Sequence, residues 1–214
     1  MNNVTELVFI IDQSGSMSGL EKDTIGGFNS MLKKQRNNEG VCHISTIFFA
    51  DESKVIHNRK NIESVEPLTD NDYCPGGCTA LLDAVGDAMK HTAKVQEMLA
   101  EDERASKVMF VIITDGQENA SRRYTANEIK RTISIEQEKY GWEFIFLGAN
   151  IDAVGTAESY GIRSENATNF VCDEAGVDLN FCALSETIDA VRKVGSIPKG
   201  WNRNIDKYYK KRGK

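Results

Sequence analysis

Asp12, Ser14 and Ser16 stand at alternate positions in Phe9-Ile10-Ile11-Asp12-Gln13-Ser14-Gly15-Ser16-Met17. One carboxylate and two hydroxyls are hard oxygen donors, with no imidazole among them. Magnesium takes such a set, using one or two carboxylates and keeping several waters. The same residue types also cap helices and make turns, so the stretch alone leaves both readings open. The apolar, β-branched run 7–11 before it has the length of a buried strand. Gly15 is expected to let the backbone turn sharply, and helical spacing begins after Gly19. The three donors therefore fall in a strand-to-helix loop.

Two later stretches share that context. In Gly76-Gly77-Cys78-Thr79-Ala80-Leu81-Leu82-Asp83-Ala84 a hydroxyl, Thr79, follows a glycine pair and precedes a helix. Val108-Met109-Phe110-Val111-Ile112-Ile113-Thr114-Asp115-Gly116 is a second buried strand ending in Asp-Gly. Ligands of open α/β sheets bind outside the carboxyl ends of strands, near the point where strand order reverses. Here the chain resembles the von Willebrand factor type A (VWA) domain and its metal-ion-dependent adhesion site. That family's pattern is Asp-x-Ser-x-Ser, a distant Thr, and an Asp after a later strand. Asp12, Ser14, Ser16, Thr79 and Asp115 match it in order, and Gly116-Gln117-Glu118-Asn119 continues it. The resemblance covers roughly residues 5–148 well and the rest more loosely.

The resemblance implies a Rossmann-like α/β sandwich of three layers. Its central sheet is mostly parallel with one antiparallel edge strand, and helices lie on both faces. It implies a Mg2+ or Mn2+ site, with Ca2+ possible, whose metal ligands are Asp12, Ser14, Ser16, Thr79 and Asp115. It also implies a protein partner that offers an Asp or Glu to the metal. Three neutral hydroxyls leave the ion under-neutralised and with an exchangeable position that an outside carboxylate can fill.

Two other functions were weighed against this one. Magnesium with two carboxylates also serves phosphoryl transfer, so a phosphatase-like enzyme using Asp12 as nucleophile is the alternative. Ser14, however, stands where halo-acid-dehalogenase-like phosphatases carry a second Asp. There is no Gly-Lys-Ser/Thr phosphate loop, and His43, His57 and His91 have no motif context for a nucleophile–base pair. The second possibility, a vestigial site in a purely structural domain, conflicts with the completeness of the five-residue set.

The 214 residues suit one VWA-like domain over 1–199 with a basic tail over 200–214, where Trp201, Tyr208 and Tyr209 are interleaved with lysines and arginines. The tail is expected to dock on its own domain. A net charge of −6 argues against general affinity for nucleic acid or anionic membrane. No apolar run approaches the roughly 20 residues needed to span a bilayer. The start of the chain lacks the basic region of a signal peptide, and a reducing cytoplasm is the expected location. Five cysteines, an odd number, argue against a closed disulfide framework. Cys42 and Cys172 read as small core residues. Cys74 and Cys78 read as free thiols, with a reversible bond between them as the sharper idea, because they flank the loop that carries Thr79.

The remaining elements follow from pattern. A helix is expected over 20–37 with Ile25, Phe28, Met31 and Leu32 inward, and close packing at Gly26-Gly27. Strands over 42–49 and 53–58 are joined too tightly for anything but an antiparallel hairpin. An irregular stretch over 59–78 delivers Thr79, with Asp70 and Asp72 tuning the rim. A second long helix spans 80–99. Thr125 and Glu128 form a capping box for a helix whose core contacts are Ile129, Ile133 and Ile135. A strand over 142–147, an Asp152-capped helix, a strand over 167–172 and a helix over 177–194 complete the domain. Asp51 reads as a hairpin-turn residue, and Arg122 and Arg123 as exposed loop arginines.

Overall fold

The computed structural model describes residues 3–212. Its strands are β1 (Val4–Asp12), β2 (Val41–Phe49), β3 (Ser53–Asn61), β4 (Lys107–Thr114), β5 (Glu143–Gly148) and β6 (Ala167–Asn169). They form one six-stranded sheet in the order β3-β2-β1-β4-β5-β6. All neighbours are parallel except the β2–β3 hairpin at one edge. The helices are α1 (Glu21–Gln35), α2 (Leu81–Met98), α3 (Ala126–Tyr140), α4 (Ala153–Ser159), α5 (Glu174–Val194) and α6 (Arg203–Arg212). This is the expected mostly parallel α/β sandwich with one antiparallel edge strand.

Period-two alternation sends each central strand into two cores. Leu7, Phe9 and Ile11 of β1 join Met109, Val111 and Ile113 of β4 against α1, α5 and α6. Val8 and Ile10 join Phe110 and Ile112 against α2, α3 and α4. Burial on both faces is why β1 and β4 read as unbroken apolar runs. Succession runs outward from β1 to β2 and β3 on one side, then restarts with β4 on the other. The carboxyl ends of β1 and β4 therefore flank the reversal of strand order, where a crevice opens.

β3 runs against its neighbours and ends at the wrong edge of the sheet, so the chain must climb back before α2 can begin. The irregular stretch does this, but it starts later than the sequence suggests. β3 continues to Asn61, and a 3-10 turn follows at Ile62–Ser64. Val65, Leu68 and Tyr73 pin the ascent to the α1 face of the core. Asn29 brackets Leu68, with its Oδ1 accepting from the Leu68 amide at 2.8 Å and its Nδ2 donating to the carbonyl at 2.9 Å.

Several expectations need correction. Ile135 is 45% exposed, off the inward stripe that Ile129 and Ile133 occupy. β6 stops at Asn169; Phe170 still donates its amide to the Gly148 carbonyl at 3.0 Å, and a bend follows at Cys172. Of the glycine pair in α1, only Gly27 is forced by packing: a Cβ there would sit 2.3 Å from Cδ2 of Phe181 on α5, whereas one at Gly26 meets nothing within 4 Å. Apart from these corrections, Arg203–Arg212 of the tail form a helix, α6, that rests on the domain. Ile205 is buried, Trp201 Nε1 donates to the Glu165 carbonyl at 3.0 Å, and Thr168 Oγ1 donates to Asp206 at 2.5 Å. α6 thus covers the β6 edge, which would otherwise offer unpaired backbone groups.

The two glycines give a clean test. Gly27→Ala should lower unfolding free energy by about 1–3 kcal/mol, the usual range for overpacking a core. Gly26→Ala should raise it by about 0.5–1 kcal/mol by removing backbone freedom in a helix interior. Urea unfolding of both variants measures the difference.

Candidate functional site

Every parallel strand points its carboxyl end to the same edge, so the loops after β1, β4, β5 and β6 share one rim. Asp12 is the last residue of β1, and Asp115 follows β4 directly. Both are buried, at 0% and 2% exposure. Asp12 Oδ1 accepts from the Ser14 amide at 2.7 Å, and Oδ2 accepts from Thr114 Oγ1 at 2.6 Å. Ser14 Oγ lies 3.1 Å from Ser16 Oγ, and Ser16 Oγ donates to Asp115 Oδ1 at 2.5 Å. A Cβ built on Gly116 would stand 3.4 Å from Thr79 Oγ1 and 3.7 Å from Ser16 Oγ. The five residues singled out in the sequence thus converge from three loops. Ser16 is exposed, Ser14 and Thr79 are buried beneath it, and Asp12 and Asp115 form the floor.

The backbone turns at Gly15 without a left-handed conformation, in a 3-10 turn, Gly15–Met17. The left-handed glycine that matters is Gly77, at φ 81°, where a Cβ would fall 2.1 Å from Asp51 Oδ2. Glycine there lets the Thr79 loop lie on the hairpin turn. Two backbone bonds then join that loop to the first one: Gly76 N to Gln13 O at 2.8 Å, and Gly15 N to Gly77 O at 3.2 Å.

Several residues that hold the site carried no role in the sequence reading. Asn119 clamps Thr79 on both sides, its Oδ1 accepting from the Thr79 amide at 2.9 Å and its own amide donating to the Thr79 carbonyl at 3.1 Å. Glu118 accepts from the Leu82, Ala120 and Ser121 amides, so it caps the first turn of α2 from a distance. Asp83 receives the amides of Arg122, Arg123 and Tyr124. Burial works against its charge, but those amides hold its carboxyl below the ordinary value. Tyr73 is buried and donates its hydroxyl to the Asp12 carbonyl at 2.5 Å. Cys172 Sγ lies 3.7 Å from Asp115 Oδ2, and burial together with the Asp115 charge pushes this thiol up to about 12.

Other candidates fall outside the cluster. Asp72 accepts from the amide and hydroxyl of Thr69, closing a turn. Asp152 caps α4 through the Gly155 amide at 3.0 Å. Arg123 pairs with Asp83 and Asp87. Cys74 and Cys78 are both free and exposed.

The charge balance of the floor is unusual. Among the described residues neither Asp12 nor Asp115 takes part in an ion pair. Burial pushes the Asp12 carboxyl up, the Thr114 and Ser14 hydrogen bonds pull it down, and the Asp115 charge adds to the rise. Buried charges ordinarily pair or coordinate metals. The donors fit a small hard cation: oxygens bonded at about 2.1 Å and at right angles stand about 3.0 Å apart, close to the 3.1 Å between Ser14 Oγ and Ser16 Oγ. No group of three His, Cys, Asp or Glu side chains among the described residues is placed to hold a metal, so any ion here depends on the hydroxyls.

No protein-family model matches the chain. No curated protein matches it either. Solved structures do. A mutant of the PilB minor pilin from Streptococcus sanguinis superposes with a TM-score of 0.61 at 13% identity, over 92% of this chain and 64% of that one. A von Willebrand factor type A structure from Catenulispora acidiphila gives 0.56 at 12% identity, over 87% and 42%. Proximal thread matrix protein 1 from the mussel byssus, with zinc in its MIDAS motif, gives 0.55 at 16% identity, over 89% and 45%. The fold is therefore VWA-like and Rossmann-like. The chain spans 42% to 64% of the length of these structures.

Asn119→Ala removes the side-chain half of the Thr79 clamp, leaving the backbone bond from residue 119 to the Thr79 carbonyl and not touching the floor. It should leave the midpoint of thermal unfolding nearly unchanged while amide exchange at Thr79 speeds up. Unchanged exchange would mean the loop is held by its backbone bonds alone.

Proposed function

We propose that the chain is a metal-dependent protein-interaction module. Asp12, Ser14, Ser16, Thr79 and Asp115 would hold one divalent cation, Mg2+ or Mn2+ by donor type, with Ca2+ possible. When bound, the ion supplies a Lewis-acidic position that a partner's Asp or Glu can occupy. The observation that carries this reading is the pair of buried carboxylates with no cationic partner among the described residues, capped by hydroxyls of which that of Ser16 faces solvent. Asp12 and Asp115 provide the charge, Ser14, Ser16 and Thr79 the neutral oxygens. Thr114, Asn119 and Tyr73 hold those groups in place. The zinc-occupied MIDAS of the byssal matrix protein supports a divalent ion in this fold. The pilin and a pilus adhesin, SpaC from Lactobacillus rhamnosus GG, also share the fold and support an adhesive role.

The phosphatase-like alternative has less support. A nucleophilic Asp12 would have to meet substrate directly, yet its side chain is fully buried; a carboxylate oxygen that accepts one hydrogen bond still keeps a lone pair for a small cation. No helix among the described residues is long and apolar enough to cross a membrane. A reducing cytoplasmic setting belongs to the same proposal.

Isothermal calorimetry should show one site for Mg2+ or Mn2+, absent in Asp12→Asn. At about 100 times the dissociation constant the ion should add about 2.7 kcal/mol to unfolding free energy. Metal-free Asp12→Asn should be at least as stable as metal-free wild type, because a buried charge beside Asp115 has gone. Immobilised protein should retain an acidic peptide with Mg2+ and release it with EDTA. Phosphatase or ATPase turnover that Asp12→Ala abolishes would overturn the reading.

A further inference from the structure

Cys172 is not part of the pattern that drew attention to the rim, yet its sulfur is at the floor. β6 ends at Asn169, and the turn that follows carries Cys172 back over Asp115. Asp115 splits its oxygens. Oδ1 receives the Ser16 hydroxyl at 2.5 Å, while Oδ2, among the described residues, has no donor except this thiol, at 3.7 Å. A carboxylate 2% exposed is thus left with one oxygen facing only a weak donor. The separation itself is informative. A tetrahedral ion bonded to sulfur at about 2.3 Å and to carboxylate oxygen at about 2.1 Å holds the two atoms about 3.6 Å apart.

The surroundings allow entry. A hollow of about 430 Å³ has Cys172 in its lining, with Gln117, Asn150 and Tyr209 among the others. Cys172 is half-buried, so an ion can reach it without unfolding the turn. The other four cysteines lack this setting: Cys42 is in the core, and no contact with Asp12 or Asp115 is made by Cys74, Cys78 or Cys182 among the described residues.

We propose that Cys172 is a further metal ligand at this rim, sharing the cation with Asp115 and giving the site a preference for a thiophilic divalent ion of the zinc class over magnesium. Sulfur ligands select zinc, whereas oxygen sets accept magnesium and manganese. Coordination releases the thiol proton to solvent and adds one negative charge to the ligand set. The remaining positions fall to hydroxyl, water and the partner's carboxylate. This inference rests on the cation site proposed above, and it adds which ion wins when several compete.

The test uses the full chain with the three exposed thiols, Cys74, Cys78 and Cys182, replaced by serine, and compares it with the same protein carrying Cys172→Ser or Cys172→Ala. Co2+ serves as the spectroscopic probe; Zn2+ and Mg2+ affinities are measured by calorimetry. The expected result is a thiolate-to-cobalt charge-transfer band that both Cys172 variants lose. Their Zn2+ affinity should fall by about ten- to a hundredfold, while their Mg2+ affinity stays within about twofold. A band that survives in both variants, or a Zn2+ affinity that does not move while Mg2+ still binds, overturns the role of Cys172 alone. Failure of every ion to bind the parent protein overturns the cation site itself and this inference with it.

Discussion

Two carboxylates buried side by side, neither paired with a cationic side chain among the described residues, are the constraint around which this molecule is arranged. Asp12 and Asp115 end adjacent parallel strands, so the sheet itself forces them together. The Asp12 charge is disfavoured by burial and by the neighbouring Asp115 charge. The protein offsets part of that cost with a Ser14 amide, a Thr114 hydroxyl and a Ser16 hydroxyl. It supplies no lysine, arginine or histidine to either carboxylate among the described residues. A fold that needed only stability would have filled these positions differently, since replacing buried charges with well-packed apolar groups is often neutral or stabilising.

The rest of the rim reads as reinforcement of that unsatisfied floor. Three loops of different origin have to hold their hydroxyls in register. Backbone bonds between residues 13–15 and 76–77 lock the first two loops together. Asn119 fixes Thr79 to the third, while Glu118 and Asp83 fasten the same loop to the start of α2. Tyr73 reaches the Asp12 carbonyl from the ascending segment, whose length follows from β3 ending at the far edge. Tyr73 and Asp83 are buried, Glu118 is half-buried and Asn119 exposed, so the supports run from the core out to the rim; hydrogen bonds that fix a ligand's setting are what positioning an ion requires.

Much of this was legible in the chain because the signals are local. The apolar runs ending in Asp12 and Asp115, the tight β2–β3 turn and the Thr125 capping box each announce themselves within a few residues. All five candidate ligands came together as their loop contexts implied. What was missed depends on contacts between distant segments. Cys172 and Asp115 are 57 residues apart, and nothing around Cys172 marks it as anything but a small core side chain. Tyr73 is 61 residues from Asp12. Ile135 misled because it follows Ile133 by two positions, a spacing that puts it on another side of a helix.

The most direct measurement of the central claim is anomalous scattering from crystals soaked in manganese chloride. The account calls for one strong peak at the carboxyl edge of β1 and β4, in bonding contact with the Ser14 and Ser16 hydroxyls and within reach of Asp12 and Asp115. An empty rim at saturating manganese, or a peak held elsewhere on the surface, would contradict it.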